Sequence, residues 1–187
     1  MLSDKLREIP VDTQGVYCLF DLDGNAAYAG KSSDLRSRLR QHFIRQDSSV
    51  ASYGRLDIWD ISHFHWWEAE SYDRAEDFLL DYYSPYLNFK SDLETPNGSS
   101  PIGFENPDGV VHLIDEEERE FRSQPYNRTK QKIDHISRMV DKIKLAGHSD
   151  NTKRTLYEHQ RILRNNIDEF LGVKQPEDQS DLQDYTE

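Results

Sequence analysis

The first half of the chain contains phenol, cationic and carboxylate side chains that together could process a phosphodiester. Tyr17 and Tyr28 flank a short turn, and Lys31, Arg38 and Glu76 follow them. Cations bind and neutralise a phosphate, a carboxylate can hold a hard divalent cation, and a phenol can move a proton. The combination predicts a phosphate-handling site, whereas each residue alone has an ordinary structural explanation.

The two tyrosines are expected on one face of a β-hairpin. Residues 15–30 read as two short apolar strands around Asp23-Gly24, a dipeptide that favours a two-residue turn. With this turn, the expected cross-strand pairs are Leu22 with Asn25, Leu19 with Tyr28, and Tyr17 with Gly30. Tyr17 and Tyr28 would then be diagonal neighbours on the sheet surface.

A helix over residues 34–44 is predicted to follow the hairpin, with Ser32 or Ser33 as its N-cap. Arg38 and His42 are four residues apart, so they would lie on one side of this helix. The apolar positions recur every four residues and would form the buried stripe: Leu35, Leu39 and Phe43.

A third strand is predicted over residues 62–68, followed by a second helix over residues 73–83 that ends before Pro85. Glu76 would lie at the edge of the core face of this helix. The expected core residues of the helix are Ala75, Phe78, Leu79, Tyr82 and Tyr83. These elements predict an α/β fold, with a small and mainly antiparallel sheet flanked by helices.

The second half of the chain predicts a helical extension. Residues 91–121 are rich in turn-forming residues and predict a loop-rich connecting segment with a short strand at 110–114. Residues 122–174 predict a helical hairpin. Its expected apolar anchors are Ile133, Ile136, Val140, Ile143, Leu156, Leu163, Ile167 and Phe170. Residues 175–187 have almost no apolar content and predict a disordered acidic tail.

Positive charge is concentrated in the hairpin of a chain whose net charge is −12. Residues 122–164 contain eleven basic and four acidic residues, which predicts a local phosphate-binding surface. The expected contacts are Lys130, Lys132, Lys142 and Lys144. The alternative is a surface for a protein partner or for a second copy of the chain in a homodimer.

The composition excludes several classes of protein. Cys18 is the single cysteine, so a disulfide framework and a cysteine-based zinc finger are excluded. The sequence shows neither a secretory signal nor an apolar run of about 18 residues. We therefore expect a cytoplasmic protein without a membrane partner.

The order of motifs resembles the GIY-YIG nuclease superfamily over roughly residues 13–90. Gly15-Val16-Tyr17 corresponds to GIY, and Tyr28-Ala29-Gly30 corresponds to YIG. The remaining matching positions are Lys31, Leu35, Arg38, His42, Glu76, Pro85 and Asn88. Valine at 16 and alanine at 29 replace isoleucines, which leaves the polar groups in place. Residues 1–90 are therefore interpreted as a nuclease core.

The resemblance implies a role for each matching polar residue. Glu76 would bind one Mg²⁺ or Mn²⁺ ion, and Tyr17 would act as, or orient, the general base. Tyr28 would hydrogen-bond the phosphate or the water, and Arg38 would offset the charge of the transition state. His42 would supply a further polar contact or accept a proton.

Substrate binding is implied for three further residues, which are Lys31, Arg36 and Asn88. Asn88 would also tie the end of the second helix to the backbone of the site. The expected function is a metal-dependent, stand-alone endonuclease that hydrolyses DNA in restriction, repair or mobile-element biology. The sequence does not distinguish DNA from RNA.

Two alternatives accompany this interpretation. One is a catalytically inactive nucleic-acid-binding or adaptor module on the same fold. The other concerns His63 and His65, which alternate onto one face of the third strand and could chelate zinc with His42 or Glu68. A polar outer face is the favoured interpretation of this histidine pair.

Overall fold

The structure is a computed structural model that describes residues 2–51, 54–89, 96–147 and 149–173 of the chain. Its elements are α1 (Leu2–Lys5), β1 (Gly15–Asp21), β2 (Ala26–Ser32), α2 (Leu35–Arg40), β3 (Ile61–Glu68), α3 (Tyr72–Tyr83), β4 (Gly109–His112), α4 (Glu116–Ser123), α5 (Pro125–Ala146) and α6 (Asp150–Leu171). A 3₁₀ turn follows α1 at Leu6–Glu8, and a π-helical turn follows α2 at Gln41–Arg45.

The predicted α/β class is confirmed. In the described part of the chain the strands form one sheet in the order β2-β1-β3-β4, and each neighbouring pair is antiparallel. β1 is central and buried along its whole length, which explains why its sequence is a continuous apolar run instead of an alternating one.

The hairpin register agrees with the predicted pairs of Tyr17 with Gly30 and Leu19 with Tyr28. The predicted pair of Leu22 with Asn25 is wrong, because the connection is a three-residue loop closed by hydrogen bonds between Asp21 and Asn25. Gly24 has a φ of +81° there, as expected of a type I turn followed by a bulge. The register then shifts by one residue between Ala26 and Tyr28, which restores the predicted partner of each tyrosine.

Helices cover the two faces of the sheet. The core on one face includes Tyr17, Leu35, Leu39 and Phe43 from β1, α2 and the π turn, so the predicted stripe of the first helix is confirmed. α3 covers the other face, but its buried residues are Ala75, Leu79 and Leu80. The predicted core position Tyr82 is exposed.

The predicted N-cap of α2 is wrong. Asp34 occupies that position, and its carboxylate accepts a hydrogen bond from the Ser37 backbone N–H at 3.0 Å. Ser32 instead hydrogen-bonds the backbone of Asp34. The cap fixes the start of a helix whose later π turn brings His42 into the core.

The predicted helical hairpin is present as α5 and α6, but α5 does not bury the predicted apolar stripe. Ile133 and Val140 are about half exposed. The side of α5 that packs on the core is polar, and its buried residues are Arg128, Lys132, His135 and Met139. This packing works because carboxylates of the core lie opposite the cations.

Asp60, just before β3, is the centre of this interface. Its carboxylate accepts hydrogen bonds from Lys132 Nζ at 2.5 Å and from Arg128, which also pairs with Asp23. Although burial acts to raise it, the pKa of Asp60 is lowered by Lys132 and Arg128. The hairpin is therefore attached to the sheet through buried charge.

The predicted connecting segment 91–121 contains regular structure. β4 joins the core sheet beside β3, and α4 begins at an N-cap formed by Asp115. Residues 91–95 and the predicted tail 175–187 lie outside the described residues. None of the described helices is both long enough and apolar enough to span a membrane.

Candidate active site

Tyr17 and His42 form a buried hydrogen-bonded pair. The Tyr17 hydroxyl lies 2.5 Å from His42 Nε2, and His42 Nδ1 lies 2.7 Å from Ser48 Oγ. Burial, reinforced by Arg38, lowers the pKa of His42 to about 3, so the imidazole is neutral at pH 7. When Nδ1–H donates to Ser48, Nε2 accepts the hydrogen bond from Tyr17.

Gly30 makes room for the Tyr17 phenol. A Cβ atom at Gly30 would lie 2.6 Å from the Tyr17 hydroxyl oxygen and 2.9 Å from the carbon that bears it. Gly30, the last residue of the Tyr28-Ala29-Gly30 motif, therefore has a steric function. The sequence identified Gly30 only as a member of that motif. Ser48, in contrast, had no signal in the sequence.

Tyr28 lies beside Tyr17, with ring centroids 6.3 Å apart. Burial raises the pKa of Tyr28, and Arg38 acts in the opposite direction. Tyr17 is completely buried, whereas Tyr28 retains some exposed surface. Tyr28 is therefore the phenol that a bound substrate could reach in this conformation.

Arg38 connects the two phenols. Although burial opposes it, interactions with the Tyr17 and Tyr28 hydroxyls raise the pKa of Arg38. Its Nη1 donates to Gln41 Oε1 at 2.9 Å, and its buried Nε has no hydrogen-bond partner among the described residues. The planar guanidinium is partly exposed and is suited to bind a phosphate oxygen.

Lys31 bridges two carboxylates on α3. Its ammonium lies 2.8 Å from Glu76 Oε2 and 2.8 Å from Asp73 Oδ1. These hydrogen bonds to Asp73 and Glu76 raise the pKa of Lys31. The Glu76 side chain is only 15% exposed, and its charge acts to raise the pKa of both Tyr17 and Tyr28. Glu76 therefore lies within the site.

Glu76 is the residue of the site that could hold a divalent metal ion. No group of three or more His, Cys, Asp or Glu side chains that could hold a metal occurs in the described ranges. Mg²⁺ is commonly bound by one or two carboxylates together with waters and substrate phosphates, and Glu76 can supply such a carboxylate.

Lys31 and Arg38 face a common open groove of about 430 Å³. Its other walls are formed by Ser32, Ser33, Asp34, Ser37, Gln41 and Tyr72. The groove combines two cations with hydroxyl groups, which are the groups that bind phosphate oxygens. It therefore offers a place for a phosphodiester beside Lys31, which is bound to Glu76, and Arg38, which interacts with Tyr28.

A profile of the GIY-YIG catalytic domain matches residues 13–88. Residues 13–88 are a GIY-YIG domain. The chain therefore contains a GIY-YIG catalytic domain, and the motif residues described above all lie within the matched range.

Relatives of the GIY-YIG domain occur in larger proteins. UvrABC system protein C of Microcystis aeruginosa is 52% identical over 101 residues, which cover 51% of this chain and 16% of the relative. The protein of that name from Lactobacillus gasseri is 33% identical over 46% of this chain and 14% of the relative. The Caldicellulosiruptor saccharolyticus protein is 38% identical over 35% and 10%. The chain thus spans a sixth or less of these relatives, and no solved structure matches it.

Asn88 ends the GIY-YIG domain and binds the backbone of its second motif. Its side-chain Oδ1 accepts from Ala29 N–H at 2.8 Å, and its Nδ2 donates to Ala29 C=O at 2.9 Å. This agrees with the expected tie to the backbone. One N–H and one lone pair of the amide thus bind the backbone, and the contact of Asn88 with a substrate stays a prediction.

Arg36 is a correction to the predicted substrate contacts. Its Nε donates to the Ile9 carbonyl at 2.7 Å, and its Nη2 donates to the Arg7 carbonyl at 3.0 Å. The guanidinium therefore holds the N-terminal segment against α2. In this structure Arg36 stabilises the GIY-YIG domain and is not directed at a substrate.

Lys132 is a second correction, among the predicted phosphate contacts of the hairpin. Its side chain is completely buried, and its ammonium is bound to Asp60, so it cannot reach a phosphate. Lys130, Lys142 and Lys144 are exposed on α5, where the prediction that they bind a nucleic acid remains untested.

His63 and His65 are joined by His112 of β4, which pairs with His63 across the sheet. The rings of His63 and His112 are stacked at 5.5 Å with an interplanar angle of 27°, and Phe20 stacks on His63 at 4.9 Å. Stacked rings do not converge on one point, so this arrangement does not favour the zinc alternative. His63 and His65 are partly exposed and pack on Phe20 and Trp67, two residues of the core that α3 covers.

Proposed function

We propose that this chain is a divalent-metal-dependent endonuclease that hydrolyses phosphodiester bonds in DNA. The observation that carries the proposal is an open groove lined by Lys31 and Arg38, with Glu76 bound to Lys31 at 2.8 Å and Tyr28 interacting with Arg38. This set combines phosphate binding, a metal-binding carboxylate and a phenol within the GIY-YIG domain. The proposal includes the stand-alone role that the sequence predicts.

Glu76 would hold the metal ion once substrate has entered the groove. When bound, a divalent ion supplies positive charge that polarises the scissile phosphate and stabilises the departing oxygen. Lys31 is bound to Glu76 in the structure, and we propose that it transfers to a phosphate oxygen of the substrate. The charge of the ammonium would then be compensated by the phosphate instead of by Glu76.

Arg38, whose guanidinium is partly exposed at the groove, would bind a phosphate oxygen and offset the negative charge that develops in the transition state. Tyr28, the accessible phenol, would contact the attacking water. Tyr17 is covered by Gly30 and bonded to His42, so we propose that it orients Arg38 and Tyr28 and leaves direct contact with the water to Tyr28. Of the two roles expected for Tyr17, the orienting one is therefore favoured.

A nicking assay on supercoiled plasmid tests the proposal. We expect the protein to nick DNA with Mg²⁺ or Mn²⁺ and to lose activity with a chelator. Glu76→Gln is expected to abolish nicking, because it removes the negative charge that would hold the ion, while DNA binding is retained. Asp81→Asn is the matched control, since Asp81 is an exposed carboxylate on the same helix.

The assay can also contradict the proposal. Nicking by Glu76→Gln at the rate of the unchanged protein would remove Glu76 from the chemistry. DNA binding without nicking under any divalent ion would instead support the inactive binding module on the same fold.

The exposed part of the basic hairpin is proposed to hold the flanking DNA. Lys130, Lys142 and Lys144 lie along α5, and each could neutralise one phosphate. Arg128 and Lys132 are excluded from this surface because they are buried against Asp60. The electrostatic contribution of the hairpin to binding is thus smaller than its charge in the sequence implies.

A further inference from the structure

Arg55 is a half-buried cation beside the active site that belongs to none of the GIY-YIG motifs. Its Nη2 donates to the Leu87 carbonyl at 3.4 Å, and the Leu87 N–H donates to Ala27 O at 2.9 Å, one residue before Tyr28. The guanidinium therefore lies along the edge of β2 that carries Tyr28. In agreement with this position, Arg55 acts to lower the pKa of Tyr28, as Arg38 does.

The C-terminal hairpin holds Arg55 in place. Arg55 Nε donates to Thr155 Oγ1 of α6 at 3.3 Å, and His159 Nε2 lies 2.9 Å from the Arg55 carbonyl. Thr155 and His159 are both buried. A side chain of the nuclease domain is thus positioned by a helix that lies outside the matched domain.

Arg154 brings a second guanidinium to the same edge. It lies over the ring of Phe89 at 5.9 Å from the centroid, directly after Asn88, which is bonded to Ala29. Both arginines therefore contact the segment 87–89, which runs beside β2. Neither arginine has a carboxylate partner among the residues that the structure describes, whereas Arg161, farther along α6, pairs with Glu158.

A half-buried guanidinium that is bound only by neutral oxygens has lost hydration without gaining a counter-charge. Burial accordingly lowers the pKa of Arg55. A phosphate supplies both the missing charge and acceptors that match the fork of a guanidinium.

We propose that Arg55 and Arg154 form a second phosphate subsite, which binds a backbone phosphate of the DNA strand next to the scissile one. This proposal rests on DNA being the substrate, as proposed above. The subsite would place the strand across Tyr28, and α6 would contribute to it through Arg154 and through the support that Thr155 gives Arg55. Arg55 and Arg154 are positioning residues for the strand in this scheme.

The test measures the binding of a labelled DNA duplex by fluorescence anisotropy at several salt concentrations. Chelator and a Glu76→Gln background prevent cleavage. Each lost phosphate contact reduces the slope of log affinity against log salt by about 0.9. We expect Arg55→Gln and Arg154→Gln each to lower the slope by about one, and the double variant by about two.

Controls separate this effect from damage to the fold. Arg161→Gln removes an exposed cation of α6 that is already paired, so its slope should match that of the Glu76→Gln parent. Arg55→Lys keeps the positive charge and should retain most of the slope. Arg154 is exposed, so Arg154→Gln decides the question even where thermal melting shows that Arg55→Gln does not fold.

The outcomes distinguish this proposal from the proposed function. Plasmid nicking together with unchanged salt slopes for Arg55→Gln and Arg154→Gln would overturn the subsite and leave the endonuclease intact. Reduced slopes without nicking under any divalent ion would support the subsite and overturn the endonuclease. If the Glu76→Gln protein itself does not bind DNA, both the subsite and the DNA endonuclease are overturned.

Discussion

The Tyr17 hydroxyl and the His42 imidazole form a 2.5 Å hydrogen bond between two side chains that are completely buried. Burial raises the pKa of Tyr17 well above that of an ordinary phenol. The nearby Arg38 only partly opposes this shift, so the Tyr17 phenolate is strongly disfavoured in the free protein. The geometry suits a phenol that positions its neighbours.

The two phenols are therefore expected to differ on substitution. Tyr28→Phe should lower the single-turnover rate of DNA cleavage by about 10²-fold or more, since it removes the phenol that we propose contacts the attacking water. Tyr17→Phe should also lower the rate by about 10²-fold, through misplacement of Arg38, but no more than Tyr28→Phe. A larger loss for Tyr17→Phe would restore Tyr17 as the general base.

Gly30→Ala is expected to abolish cleavage without unfolding the protein. The new Cβ would overlap the Tyr17 phenol, which is held between Gly30 and His42 and must move. The single-turnover rate and a thermal melt would be measured together. Ala29→Gly, at the neighbouring buried position, changes volume without approaching the Tyr17 hydroxyl and serves as the control for general damage to β2. Full activity of Gly30→Ala would show that the position of Tyr17 is unimportant.

Two lysines of α5 that look equivalent in the sequence are expected to behave differently. Lys132→Met leaves the Asp60 carboxylate with one cation instead of two, and breaking a buried pair costs about 3–5 kcal/mol in the free energy of unfolding. Lys130→Met should change that free energy by less than about 0.5 kcal/mol, because Lys130 is exposed. Urea unfolding measures both.

DNA binding, unlike the free energy of unfolding, should depend on the exposed lysines of α5. Substituting Lys130, Lys142 and Lys144 with glutamine should flatten the salt dependence of binding by up to about three phosphate contacts. If the slope stays unchanged while light scattering shows a lower oligomeric mass, α5 would be a surface for a second copy of the chain.

The free energy of unfolding is expected to fall as the pH is lowered from about 6.5. His135 and His159 are buried against each other, and burial together with Lys132 lowers the pKa of each to about 3. Between that value and the ordinary pKa of about 6.5, the unfolded chain binds protons that the folded protein does not. Urea unfolding at pH 7 and pH 5 measures the loss.

His135→Gln should reduce this pH dependence by about one proton. Asp21 acts in the opposite direction, because burial raises its pKa to about 6 and the folded protein then binds a proton more readily than the unfolded chain. Stability that is unchanged between pH 7 and pH 5 in both proteins would contradict the dominance of the histidines.

Local spacing was enough to predict the parts of the site that lie on one hairpin. The pairing of Tyr17 with Gly30 follows from strand alternation and from the position of the turn. The three-residue loop was missed because Asp23-Gly24 suits both a two-residue turn and a type I turn with a bulge. A compensating shift further along β2 left the predicted tyrosine pair intact.

Burial and distant partners could not be predicted from the sequence. Lys132 and Lys130 are both charged residues of one helix, and only the position of Asp60, 72 residues earlier, decides which one is buried. Arg36 similarly finds its acceptors 27 and 29 residues earlier in the chain. Residue type gives the charge of a side chain. Whether that charge is buried in an internal contact or exposed at the surface depends on packing between elements far apart in sequence.

Asp60 belongs to the GIY-YIG domain, whereas the lysine and arginine that neutralise it belong to α5. A fragment cut after residue 90 would keep the carboxylate and lose both counter-charges. The GIY-YIG domain of this chain thus depends on α5 for the neutralisation of a buried carboxylate, unlike a domain whose contacts with its neighbour are apolar. Grafting it onto another scaffold would require Asp60 to be replaced by an uncharged residue of similar size, such as asparagine.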